Sequence, residues 1–186
     1  MKTVLGDIRR ADEDFEMIAP GDRVAVGVSG GKDSLLLLYA LSLYRKFEHK
    51  DFELRGIMLD MGFEAFDASP VMRWCEELNI PFDVIQTDIA KVVFDLRKEN
   101  NPCSLCAKMR RGALNDAAKR LGCNKVALGH HREDAIETLM MSLIFEGRLH
   151  TFHPNMFLLG ANVTVIRPMV YVTEKHVIHV LSLIHI

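Results

Sequence analysis

No run of apolar residues in this sequence approaches the roughly 20 that a membrane-spanning helix needs, so an integral membrane protein is not expected. The first residues are polar and charged, which argues against a secretory signal. Only four cysteines occur in 186 residues. In the reducing, cytoplasmic setting this implies, they are expected to be free, metal-bound or catalytic rather than disulfide-bonded. The net charge is only −2, so overall charge says nothing about a nucleic-acid partner. Repeats and low-complexity segments are lacking. The Walker pattern is missing too: three residues, not four, separate Gly27 from Gly31, and Lys32 is followed by Asp33. The dinucleotide fingerprint Gly-x-Gly-x-x-Gly is likewise absent. What remains is a chain 49% apolar and 26% charged, long enough for one α/β domain with a proper core.

The chain is organised around Val24–Leu38. A β-branched apolar run stops at Ser29-Gly30-Gly31, and a helical apolar run starts after Ser34. This reads as buried strand, glycine turn and helix N-terminus. Glycine lets the backbone bend and approach a ligand without a Cβ in the way. The first amides of the helix lack intrahelical partners, and its dipole adds positive potential, so phosphate is the expected ligand. Ser29, Ser34 and the loop amides suit pyrophosphate oxygens, Lys32 neutralises charge, and Asp33 is a hard ligand for Mg²⁺. An ordinary strand-to-helix turn is the plainer reading. Against it, Ser29-Gly30-Gly31-Lys32-Asp33-Ser34 resembles the SGGxDS loop of the ATP pyrophosphatase (PP-loop) family. That resemblance implies cleavage between the α and β phosphates through an adenylated intermediate.

Strands at 23–28, 52–59, 82–86, 125–128 and 163–166 alternate with helical patterns at about 32–47, 71–78, 88–98, 104–121 and 133–145, and Thr173 opens a last helix. An amphipathic helix is expected at 7–18. The alternation predicts an α/β fold, a doubly wound parallel five-stranded sheet with an N-terminal helix. In the order 3-2-1-4-5, strands 1 and 4 flank the crevice where such sheets bind ligands. The expected division is an N-terminal helix at 1–20, the ATP-binding domain at 21–180 and a tail at 181–186.

Strand 4 leads into Gly129-His130-His131-Arg132-Glu133-Asp134. Histidines there suit phosphate, ribose or proton transfer, and Asp134 suits a metal or a donor group; a satisfied polar cluster is the alternative. Cys103-Ser104-Leu105-Cys106 opens the helix after Pro102. A C-x-x-C pair at a helix start converges two sulfurs and favours thiolate, although a Cys₄ zinc site needs a second pair that this chain lacks. From Arg97 to Arg132 nine basic residues face two acids, giving +7, so the rest carries −9. A polyanion docked at one face suits that distribution, and a solvated helix also accounts for it. Lys108, Arg111 and Lys119 share a face suited to a phosphate backbone. Arg110, four residues after Cys106, is aimed at a ligand. Cys75 and Cys123 read as packing residues. His176 and His179 are spaced i, i+3, with nothing else nearby to suggest a metal site.

Together the three motifs and the Arg110-Arg111-Gly112 that follows the cysteines resemble the tRNA 2-thiocytidine synthetase family, relatives of lysidine synthetase. The resemblance runs from Ile8-Arg9-Arg10 to Val165-Ile166-Arg167-Pro168. It implies that ATP adenylates the C2 carbonyl of an anticodon-loop cytidine and that sulfur then replaces the oxygen. It further implies that Ser29–Ser34 bind the pyrophosphate end of ATP and that Gly129 and His130 contact the nucleotide. Cys103 and Cys106 become two of three cysteines on a 4Fe-4S iron–sulfur cluster. Lys32, Asp33, Cys103, Cys106, Arg110 and Asp134 are the expected catalytic set. Lys108, Arg111, Lys119 and Arg132 are the expected tRNA contacts. The partners implied are tRNA and a sulfur donor such as a cysteine desulfurase; a homodimer is one assembly the sequence allows. The family's Arg-Asp-Asp is Arg132-Glu133-Asp134 here, and its third cluster cysteine lies beyond Ile186. Leu181–Ile186 reads as a translated sequencing-adapter end, so a non-native tail on a shortened chain is expected. Other readings are a PP-loop tRNA-modifying ligase or amidotransferase with zinc or no metal at the cysteines, and an inactive nucleotide- or RNA-binding fragment.

Overall fold

The structure, a computed structural model, describes residues 1–63, 65–97 and 102–184. Its strands are β1 (Arg23–Val28), β2 (Glu53–Asp60), β3 (Phe82–Gln86), β4 (Lys125–Ala127), β5 (Asn155–Leu158) and β6 (Val163–Ile166). Its α-helices are α1 (Lys2–Phe15), α2 (Lys32–Phe47), α3 (Ser69–Glu77), α4 (Pro102–Arg120), α5 (Arg132–Met141) and α6 (Glu174–Ile184). They form one sheet in the order β3-β2-β1-β4-β6-β5. β1 pairs in parallel with both β2 and β4, so the strand order reverses beside it.

The alternation along β1 explains why its sequence is apolar throughout. Val24, Val26 and Val28 point into a core shared with α1, α2 and α6. Ala25 points the other way, toward Leu114, Ala117 and Ala118 of α4. A strand covered on both faces has no solvent side to leave polar. Gly27 faces α4 as well: a Cβ there would stand 2.7 Å from a Leu114 methyl. On the opposite face α2 buries Leu35, Leu36, Leu37, Leu38, Ala40 and Leu41.

The five expected strands stand in the expected relative order, but the sheet has a sixth member. β5 runs antiparallel to β6, from Asn155 opposite Ile166 to Leu158 opposite Val163, and forms the outer edge. Its four residues follow Pro154 and show no alternation of buried and exposed positions, so the stretch reads as loop. Asn162, at φ 54, makes the hairpin turn.

Helix boundaries shift for local reasons. α1 starts earlier and ends earlier than the apolar spacing suggests. Glu16 turns left-handed at φ 48, and its amide caps onto Asp12 O. Met17 and Ile18 then enter the core from a loop. The buried Asp12 carboxylate fixes this turn by accepting from Ile18 N–H at 2.8 Å and Tyr44 O–H at 2.6 Å, with the Lys50 ammonium against it. Residues Lys91–Arg97 and Ser142–Glu146 are π-helical rather than α-helical. Residues 98–101, with Lys98 and Glu99 of the charged stretch, lie outside the described residues, as do the last two residues of the expected tail. No helix among the described residues is long and apolar enough to cross a membrane.

Candidate functional site

The loop after β1 is held by its own serines. Ser34 Oγ accepts from the Ser29 amide at 3.1 Å and donates to Gly31 O at 2.9 Å, and Ser29 Oγ lies 3.2 Å from it. The Gly31 amide donates to Ser29 Oγ at 3.3 Å. Gly30 sits at φ +82, a backbone region that a side chain disfavours. α2 starts at Lys32 with no side-chain cap, so its first amides keep hydrogen-bonding capacity for a ligand.

The loop after β4 closes on it. A Cβ at Gly129 would stand 3.0 Å from the Asp33 carbonyl and 3.1 Å from Ser34 N. These contacts are backbone, so glycine at 129 is what lets the two loops meet. His131 N–H donates to Asp134 Oδ2 at 2.7 Å, fixing the start of α5. The buried His131 ring lies between acids, with Nδ1 3.3 Å from Glu133 Oε2 and Nε2 3.9 Å from Asp33 Oδ1.

Between the loops lies a cavity of about 550 Å³, lined by Ser29, Asp33, Ser34, Gly129, His130 and Asp134 together with Arg110 and Arg111 of α4. Its floor is apolar, built from Ile57, Leu59, Met61, Leu114 and Leu128. That combination of flat apolar wall, helix N-terminus and two guanidiniums suits a nucleotide.

His130 packs on Phe152 at 5.1 Å between ring centroids, and the Arg167 guanidinium covers the same ring at 4.7 Å. Burial, with the Arg167 charge beside it, pushes the His130 pKa down. Its Nδ1 is buried without a hydrogen-bond partner. Arg167 is itself buried and has no ion pair among the described residues. Its Nη1 donates to His153 O at 2.6 Å, and burial, followed by the charge of Arg111, lowers its pKa.

The expected residues divide into two groups. Ser29, Asp33, Ser34, Arg110, Arg111, Gly129, His130 and Asp134 converge on the cavity. Gly30, Gly31 and Lys32 lie in the same loop, between the lining residues Ser29 and Asp33. Cys103 and Cys106 are free thiols at the start of α4, one exposed and one half-buried. They stand one turn from Ala107 and Arg110 of the lining. Lys108, Lys119 and Arg132 lie on exposed helix surface, Lys119 in the last turn of α4. Cys75 and Cys123 are buried in the core, and burial raises both thiols, that of Cys75 to about 11. Among the described residues, no group of three or more His, Cys, Asp or Glu is placed to hold a metal. Asp33 brings a single carboxylate to the cavity, and Cys103 and Cys106 bring two thiols to the start of α4.

Sequence reasoning missed Glu174 and the role of Glu133. Lys32 Nζ lies 3.1 Å from Asp33 Oδ1 and 3.2 Å from Glu174 Oε1. Partial burial works against the Lys32 charge, but these hydrogen bonds outweigh it and raise the pKa above the ordinary lysine value. Glu133 Oε2 accepts from the Glu174 amide at 2.9 Å and so ties α6 to the second loop. Only tertiary contact joins positions 32, 133 and 174, so no local spacing pointed to them.

The PP-loop domain family model matches residues 7–186. A tRNA-cytidine(32) 2-sulfurtransferase from Pelobacter propionicus is 41% identical over 172 residues, 92% of this chain and 64% of the relative. One from Geobacter sulfurreducens is 38% identical over 178 residues, 95% of this chain and 69% of the relative. The chain thus spans about two thirds of the length of these curated relatives. The U34-tRNA thiolase NcsA from Methanococcus maripaludis, solved with its 4Fe-4S cluster, superposes with a TM-score of 0.77 at 27% identity, covering 97% of this chain and 62% of that one. An NH3-dependent NAD synthetase from Campylobacter jejuni shares the fold at a TM-score of 0.58 and 15% identity. By sequence match along nearly its whole length, this chain belongs to the PP-loop family, in the group of the tRNA-cytidine(32) 2-sulfurtransferases.

Proposed function

We propose that this chain is the ATP-binding catalytic body of a tRNA thiolation enzyme that acts on an anticodon-loop cytidine, as the names of its relatives suggest. The observation that carries this reading is the single cavity shared by the serine-locked loop, the Gly129–His130 loop and the arginines beside the cysteine pair. ATP places its pyrophosphate end on the Ser29–Ser34 amides, where Lys32 neutralises charge. Asp33 and the phosphate oxygens together suit Mg²⁺, which keeps most of its other ligands as water. The base lies on the apolar floor. His130, neutral at pH 7 because its pKa is depressed, offers Nδ1 to the nucleotide without adding charge.

The cytidine C2 oxygen attacks the α-phosphorus, and pyrophosphate leaves with the electrons of the broken P–O bond. Arg110 and Arg111 offset the charge that develops there. A sulfur nucleophile then adds at C2, and AMP departs with the former C2 oxygen. Cys103 and Cys106 would supply two ligands of an iron–sulfur cluster, which when bound presents sulfur to the activated base. Lys108, Lys119 and Arg132 meet the tRNA backbone, with Arg111 at the boundary between tRNA and nucleotide. The cytoplasm, where tRNA, ATP and a cysteine desulfurase or similar donor coexist, is the proposed setting.

The test is pyrophosphate release from ATP in the presence of tRNA. Asp33→Ala should abolish it. Cys103→Ala and Cys106→Ala should keep it but lose the iron–sulfur absorbance after anaerobic reconstitution and lose thiolation. Release that is independent of tRNA, or that persists in Asp33→Ala, contradicts this reading. The alternative is a ligase with zinc or nothing at the cysteines. Reconstitution without cluster absorbance would select it.

A further inference from the structure

Histidines aside, the buried ionised side chains among the described residues are Asp12, Asp22 and Arg167. Asp12 meets Lys50, and Asp22 meets Lys125. Arg167, only 8% exposed, meets no acid; the neighbouring charge that acts on it is another cation, Arg111. A buried charge is ordinarily paired, because leaving it alone is costly. Its Nε is buried with no partner, and its one hydrogen bond among the described residues runs from Nη1 to His153 O. The Nε–Nη2 edge therefore keeps both donors, and that edge grips a phosphate through two parallel hydrogen bonds. The surrounding sequence makes the same point. From Gly147 to Thr173 there is no Asp or Glu, in a chain with 25 of them, while Arg148, His150, His153 and Arg167 all fall there.

We propose that Arg167 receives a phosphodiester of the RNA strand, beside the nucleotide that enters the cavity. The assignment rests on the reading of the chain as a tRNA-acting enzyme and adds an anion site to it. Arg167 reaches the cavity wall through Phe152, whose ring carries both its guanidinium and the imidazole of His130, a lining residue. The triphosphate has its own place on the amides after β1. β6, which delivers Arg167, lies two strands from β1, roughly 10 Å away. RNA arriving over residues 148–153 meets the exposed Arg148, His150 and His153 first. One phosphate then reaches the buried guanidinium and supplies the charge that the protein does not. Arg111, on the cavity lining, stands between that phosphate and the nucleotide.

The test is the salt dependence of binding between the whole chain and a synthetic RNA hairpin carrying the tRNA anticodon stem and loop, read by fluorescence anisotropy. Arg167→Gln should weaken binding about tenfold and lower the slope of log affinity against log salt by about 0.7, the worth of one single-strand phosphate contact. Arg167→Lys keeps the charge and loses the fork, so it should keep the slope and recover part of the affinity. Circular dichroism checks the fold of both variants. A neutral methylphosphonate, placed at each loop position in turn, removes the charge from the RNA side with the protein intact. At one position it should cost the wild-type chain about tenfold and cost the variants less. An unchanged slope in folded Arg167→Gln overturns the assignment. So does a methylphosphonate series in which every position costs the variants as much as the wild type. Loss of ATP affinity in isothermal titration, with RNA binding unchanged, overturns it in favour of the nucleotide. These results remove this assignment alone; a wild-type chain that binds no hairpin removes it together with the reading it rests on.

Discussion

The two ends of strand β1 carry similar numbers of polar groups and use them in opposite ways. At the amino end the charges that flank the strand pair with one another. Arg23 Nε meets Glu53 Oε2 at 2.8 Å, Lys125 Nζ meets Asp22 Oδ2 at 3.1 Å, and Asn124 bridges Asp22 and the Arg23 amide. At the carboxyl end capacity is left over. The first amides of α2 are uncapped, His130 Nδ1 has no partner, and Lys32 is shared between two carboxylates on an open rim. Satisfied polar groups hold a fold together; surplus ones are there for something that binds. The contrast assigns structure to one end of the sheet and chemistry to the other.

Substitutions at the two ends should therefore separate stability from binding. The largest effect is expected for Gly129→Ala, whose Cβ would press on the Asp33 backbone at 3.0 Å. Isothermal titration should show ATP affinity falling by about a hundredfold, roughly 2.7 kcal/mol. Affinity retained within twofold would mean that the two loops need not meet. At the amino end Lys125→Met removes the cation beside the Asp22 carboxylate. It should cost about 2 kcal/mol in urea unfolding and leave ATP affinity unchanged; weakened binding there would break the comparison.

Glu174→Gln sharpens it. The Glu174 carboxylate competes with triphosphate for Lys32, so its removal should tighten ATP binding about threefold, by roughly 0.65 kcal/mol. Weaker binding would make Glu174 an orienting group instead.

Acid titration resolves the two ends in different pH windows. His130 has a folded pKa below its ordinary 6.5. The unfolded chain therefore takes up a proton first, and stability falls as pH drops from about 6.5 toward the folded value. Asp22 is opposed by desolvation, but hydrogen bonds from the Ala19 amide, Asn124 and Lys125 prevail and hold it below its ordinary 3.8. Its contribution is complete above 3.8 and is lost below. Urea unfolding between pH 7.5 and 3 should show two separate declines, the first removed by His130→Gln and the second by Asp22→Asn. A first decline that survives His130→Gln would assign it to another group.

Much of this was legible in the sequence because it is local. The Val24–Val28 run, two glycines and an apolar helix specify strand, turn and helix within fifteen residues, and the order of strands around β1 followed from their alternation with helices. Leu114, Ala117 and Ala118 showed the buried side of α4 by spacing alone. What stayed hidden depends on distant partners. Glu174 matters only because α6 returns to Lys32. Arg167 matters because Phe152 carries both it and His130. β5 pairs only because Asn162 turns the chain back. Arg111 was expected on the tRNA side by helical spacing, yet it lines the cavity; spacing fixes a face, not the depth at which a long side chain ends.

The amides between β1 and α2 are where phosphate is expected to sit. A crystal structure with a non-hydrolysable ATP analogue tests it most directly. β- and γ-phosphate oxygens should lie within hydrogen-bonding distance of the Gly30–Asp33 amides, with Lys32 turned from Glu174 toward them and the base over Ile57 and Leu128. An analogue bound elsewhere, with this loop unchanged and Lys32 still on Glu174, would contradict it.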